Sequence, residues 1–123
     1  NLIPSAEVWH LGVYRDEATL RPVEYYSRFP ATQPVDVALV LDPMLATGGS
    51  AVAALTTLRE WGVKHVKLVA VIASSDGIRE VQKHFPDAQI YVAAIDAQLN
   101  DHGYIVPGLG DAGDRIFNTQ KKA

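Results

Sequence analysis

An α/β fold, with a parallel sheet flanked by helices and an antiparallel β-hairpin arm near the N-terminus, is the class this sequence predicts. Three observations carry that expectation. Between residues 35 and 96, apolar runs of strand length alternate with stretches of helical periodicity, the pattern of βαβ units and a parallel sheet. Two β-prone segments divided by a short polar stretch precede that body. The 123 residues, 48% of them hydrophobic and 20% charged, suit one domain, residues 1–123, with its own core.

The arm comes first, over residues 8–29. EVWHLGVYR and RPVEYYSRF are the two β-prone segments, and DEATL separates them. Trp9, Tyr14, Tyr25 and Tyr26 suit packing of this arm against the body or a second subunit. Val35 to Asp42 then forms a β-branched, leucine-rich run between Pro34 and Pro43, as expected of a strand covered on both faces. A helix follows, because Val52, Leu55, Leu58 and Trp61 recur at helical spacing; Ser50 suits its N-cap and Gly62 its end. Residues 65–74 return to strand character. Residues 76–85 read as a helix with Asp76 as N-cap and Pro86 beyond its end, and residues 89–96 as a strand. The last quarter is rich in glycine and aspartate, with little periodicity, and is not expected to pack the core.

Composition excludes several function classes. A formal net charge of −3 and a pI near 5.7 leave no basic excess for a nucleic-acid backbone, so no nucleic-acid partner is expected. Without cysteine there is no disulfide framework, thiolate metal site or cysteine nucleophile. His10, His65, His84 and His102 are scattered without ligand spacing, which argues against a histidine metal site. No apolar stretch approaches the roughly 20 residues of a membrane span, and the opening NLIPSAEVWH lacks a signal pattern. A cytoplasmic protein without membrane association is the expectation. The first residue is not methionine, and the chain reads as N-terminally truncated.

The stretch LVLDPMLATGGS concentrates the chemistry. In an open parallel sheet, ligands bind at the carboxyl ends of strands, where Asp42 to Ser50 would lie. Gly48 and Gly49 allow a tight turn with exposed N–H groups, the following helix adds a positive dipole end, and Thr47 and Ser50 contribute hydroxyls. A phosphate could be held there without lysine. The spacing fits neither a Walker loop nor a dinucleotide fingerprint. An ordinary tight βα turn would use the same glycines, so the acid matters most. A carboxylate touching a phosphate would repel it, but one placed beside it can accept hydrogen bonds from sugar hydroxyls. That combination points to a ribose 5-phosphate.

These residues resemble the phosphoribosyl-pyrophosphate loop of type I phosphoribosyltransferases, and DPMLATGGS is similar to the uracil phosphoribosyltransferase branch. YRDEATLRPVEYY and GYIVPGLGDAGDRIFNT agree with the same branch, in the family's order along the chain. The single acid is also that branch's form, since many phosphoribosyltransferases carry two adjacent acids where this chain has Leu41 and Asp42. The family's chains are longer at the N-terminus, and the missing part supplies opening helices, early strands and another pyrophosphate-binding arginine. Its lack would leave sheet surface uncovered and weaken donor binding.

The resemblance implies a phosphoribosyltransferase-type sheet and the conversion of uracil and phosphoribosyl pyrophosphate (PRPP) to UMP and pyrophosphate, with Mg²⁺ neutralising the leaving group. It implies PRPP binding by Arg15 on the pyrophosphate side, Asp42 on the ribose hydroxyls, and the run Pro43, Met44, Leu45, Ala46, Thr47, Gly48, Gly49 and Ser50, of which Ala46 to Ser50 cradle the 5-phosphate. Ile105, Gly110, Asp111 and Ala112 match positions around uracil, read largely through main-chain groups, with Asp111 also on the donor and metal side. No direct protein ligand to the metal is assigned, and the sequence neither requires nor identifies a general base. The partners are then uracil and PRPP, with GTP as a candidate effector and a homo-oligomer as the assembly. A noncatalytic nucleotide-sensing module on the same fold, or an inactive fragment, is the alternative.

Overall fold

The computed structural model describes residues 2–16, 18–19, 22–27 and 33–119. Leu11–Arg15 (β1) and Pro22–Ser27 (β2) pair antiparallel, with Leu11 opposite Ser27, Arg15 opposite Pro22, and an irregularity between Gly12 and Val13. Among the described residues, the paired part of the arm is Leu11–Arg15 with Pro22–Ser27. Asp16 ties its turn, Oδ1 accepting from the Thr19 N–H at 2.7 Å and the Ala18 N–H at 3.1 Å. Trp9 meets Trp61 edge to face, with centroids 4.9 Å apart and planes at 84°, a geometry the ring quadrupoles favour. Trp9 thus packs the arm's approach onto the body. The side chains of Tyr14, Tyr25 and Tyr26 lie outside those described.

Val37–Leu45 (β3), Gly49–Trp61 (α1), His65–Ser74 (β4), Ser75–His84 (α2) and Gln89–Asp96 (β5) form the body. The strands run parallel in the order β3-β4-β5, with Val37 beside His65, Lys67 beside Gln89, and Ser74 beside Asp96. Alternation sorts each strand into two faces. Ala38, Val66, Leu68 and Ala70 turn toward the helices and pack with Leu55 and Leu58 of α1 and Val81 of α2; Leu55, Leu68 and Val81 are fully buried.

The expectation of a strand covered on both faces is overturned among the described residues. Leu41 is 74% exposed, and Val37, Leu39, Val71, Tyr91 and Ile95 also stand open on the face away from α1 and α2. These two helices lie on one side only, so the apolar character of β3 reflects a sheet with one bare face.

The boundaries of three elements also differ from expectation. The strand read as Val35–Asp42 starts at Val37 and continues through Pro43 to Leu45. Proline is tolerated because β3 is an edge strand of the described sheet, and the ladder passes from Asp42 beside Ala70 to Met44 beside Ile72. Gly48, not Ser50, is the N-cap of α1, with Ser50 inside the first turn; Gly62 does end the helix. Ser74, not Asp76, caps α2, its Oγ accepting from the Gly77 N–H at 2.9 Å, and α2 covers Ser75–His84.

After β5, Gln98–Leu99 (β6) and Ile105–Val106 (β7) make a short antiparallel pair, and Ala112–Phe117 (α3) follows. The last quarter was not expected to pack, yet Ile105 is only 2% exposed. It lies in β7, whose pairing with β6 is too short to leave a periodic signal.

Candidate functional site

The carboxyl ends of the parallel strands are where the body's chemistry gathers. Because β3 runs past Asp42, that residue sits within the strand rather than at its tip, half-buried, with Oδ1 accepting the Met44 N–H at 3.0 Å. Burial raises the pKa of its carboxyl above the ordinary value, and the Met44 N–H partly opposes this. Asp42, Met44, Ala46, Thr47, Gly48, Ser50 and Ala51 line one small polar hollow. A wider depression of about 590 Å³, lined by Leu41, Pro43, Val69, Val71, Tyr91 and others, belongs to the bare apolar face. Its lining offers few polar groups, so the smaller hollow is the better seat for an anion.

The two helices of the body begin differently. α2 opens on the Ser74 side-chain cap with Asp76 in its first turn, so its own groups answer its free N–H donors and dipole. α1 opens on Gly48, which has no side chain to cap it, and has no acid in its first turn. Gly48 has φ +84°, a left-handed turn that feeds the chain directly into the helix. The first-turn amides of α1 are thus left for water or an anion, and they border the hollow that Asp42 lines.

What holds this bend in shape is a pair of residues that sequence reasoning missed. Ser74 is fully buried, and its hydroxyl donates to the Ala46 carbonyl while accepting the Gly77 N–H. A Cβ on Gly77 would fall 2.9 Å from the Leu45 carbonyl oxygen, and one on Gly48 would fall 2.8 Å from that of Gly77. The loop therefore rests backbone to backbone on the first turn of α2. A glycine two residues into a helix, directly after Ser-Ser-Asp, was the available signal.

The second half of the site descends from β5. Asn100 closes the β6–β7 turn, its Oδ1 accepting the N–H groups of His102 at 3.0 Å and Tyr104 at 2.9 Å. The chain then returns to the sheet, where the Gly108 N–H donates to Asp96 Oδ2 at 3.1 Å. Ile105 is buried as a whole residue, and its carbonyl oxygen lies against Gly108. Gly110 is exposed with φ +73° and open space where a Cβ would stand. Asp111 caps α3, Oδ1 accepting the Asp114 N–H at 2.8 Å, and Ala112 is the first residue of that helix.

The structure thus brings Asp42, Met44, Ala46, Thr47, Gly48 and Ser50 together in one hollow, with Gly49 opening α1 beside them. Leu45 is buried in the core and Pro43 lies on the bare face, so these two reach the loop by main chain only. Residues 105–112 belong to the same end of the sheet but follow β5, two strands from β3. The backbone of Arg15 lies in β1 and its side chain is outside those described. Among the described residues no group of three or more His, Asp or Glu side chains is gathered to hold a metal ion, and no helix is long and apolar enough to cross a membrane.

Comparison with known proteins places this arrangement in context. The sequence model of the family described as "Uracil phosphoribosyltransferase" matches residues 1–119. A uracil phosphoribosyltransferase of Roseiflexus sp. (strain RS-1) is 61% identical over 119 residues, 97% of this chain and 57% of that protein. One from Finegoldia magna is 58% identical over 120 residues, 98% of this chain and 57% of that protein. The solved structure of the AQ2163 protein from Aquifex aeolicus superposes with a TM-score of 0.81 at 40% identity, covering 91% of this chain and 53% of that one. The chain spans somewhat more than half the length of these relatives.

Proposed function

The chain belongs to the uracil phosphoribosyltransferase family, and from that premise we propose that it carries the donor and nucleobase sites of an enzyme making UMP from uracil and PRPP. The observation that supports this most is the uncapped, acid-free start of α1 bordering the hollow that Asp42 lines. In this reading the amides and hydroxyls from Ala46 to Ser50 take the 5-phosphate, and Asp42 accepts from the ribose hydroxyls beside it. Main-chain groups of residues 105–112 read the neutral edge of uracil without charged side chains.

The reaction forms a bond from uracil N1 to the anomeric carbon and breaks the bond from that carbon to the diphosphate oxygen. Pyrophosphate leaves with the bonding pair, and the N1 proton passes to the departing pyrophosphate or to solvent. Positive charge builds on the ribose ring, and Asp42 and the loop dipoles are the fixed groups placed to answer the charges of the donor. Holding both substrates at one sheet end supplies the orientation.

Mg²⁺, when bound, neutralises the departing diphosphate. Single carboxylates rather than a protein cage fit an ion that favours phosphate oxygens and water. Asp111, exposed at the turn into α3, would hold it through water. Incubating this chain with labelled uracil, PRPP and Mg²⁺ should yield labelled UMP. PRPP binding by calorimetry with no Mg²⁺-dependent UMP formation would favour a nucleotide-sensing module instead.

A further inference from the structure

We infer that Asp96 is a positioning residue for the nucleobase loop, holding residues 105–112 at the end of β5 through the amide of Gly108. The inference rests on the reading of this loop as the uracil site. Asp96 is the last residue of β5 and is half-buried, and its Oδ2 accepts the Gly108 N–H at 3.1 Å across 12 positions of sequence. A carboxylate accepting from a main-chain amide belongs to the stronger class of hydrogen bond.

The ladder between these two residues is short, although Ile105 within it is buried. β6 and β7 pair only Gln98 with Val106 and Leu99 with Ile105, and so small a ladder is marginal in water. Its far end is closed by Asn100 and its near end by Asp96. Of these, only Asp96 ties the loop to the main sheet by a side chain. Asp96 is also the register partner of Ser74, which braces the Ala46 carbonyl on the donor side. Neighbouring residues at one sheet end therefore carry one half-site each. Loss of the Asp96 bond frees the loop that reads the base while leaving the phosphate bend on Ser74.

The test is steady-state kinetics of this chain and its D96A and D96N variants, with amide hydrogen exchange at Gly108. D96A should raise the uracil KM about tenfold or more, the loss of one charge-assisted bond, and leave the PRPP KM within about twofold. Exchange at Gly108 should quicken in parallel. D96N keeps an acceptor oxygen without the charge and should show a smaller rise, and it carries the comparison if D96A does not fold. Equal changes in both KM values, no change in either, or unaltered Gly108 exchange in a folded variant overturns the assignment. Absence of UMP formation by the unmutated chain overturns instead the reading beneath it, and the assignment with it.

Discussion

The carbonyl oxygen of Ala46 stands 2.4 Å from where a Cβ on Gly77 would begin. No real Cβ contact is that short, so the bend between β3 and α1 and the first turn of α2 touch only because residue 77 has no side chain. Gly77→Ala should push the bend off its seat, lowering stability by about 1–3 kcal/mol as overpacking does. Urea unfolding reads that loss. Kinetics should show a raised PRPP KM with the uracil KM little changed, and equal KM values for the variant and the parent chain would remove Gly77 from the donor site.

Ser74→Ala removes one hydroxyl that serves two backbone groups, the Ala46 carbonyl and the Gly77 amide. Both then lie unpaired beneath a fully buried position, at a cost of about 1–3 kcal/mol. The midpoint of urea unfolding should fall with an unchanged slope. Donor binding by calorimetry should weaken together with it.

Asp42→Asn separates function from stability. Burial raises the folded-state pKa of this carboxyl above its ordinary value of 3.8. The stability associated with its neutral form is complete below that ordinary value and is lost as pH rises through the folded-state value. Asparagine does not ionise, so the variant should match the parent chain in acid and exceed it in stability near neutrality, as followed by urea unfolding across pH. Over the same range its kcat/KM for PRPP should drop about 10- to 100-fold, through lost hydrogen bonds to a charged acceptor. A variant with undiminished donor use would place Asp42 outside the site.

Leu68→Ala provides the contrast. Leu68 is fully buried at the centre of the sheet, facing the helices, and truncation should cost about 2–5 kcal/mol. Under conditions where the variant is folded, the ratio of its two KM values should stay that of the parent chain.

Much of this architecture was legible from short-range pattern. The strands 65–74 and 89–96 match β4 and β5 to the residue, and Gly62 ends α1 as expected, because period and end signals act over a few positions. The tight turn between β3 and α1 was legible for the same reason, although β3 runs on to Leu45. Two of the errors fall where a residue's role depends on what lies beside it. Ser74 ends a strand and caps a helix, and Pro43 reads as a terminator until the strand is known to lie at an edge.

Sequence by itself determined the strands and helices of the body from β3 to β5 and their order, since these follow from side-chain period and local backbone chemistry. Only the tertiary structure decided that Ser74 meets Ala46, 28 positions away, and that Asp96 meets Gly108. The physical reason is strand register. It sets which backbone groups come within hydrogen-bond reach across the sheet end, and nothing local to either partner encodes it.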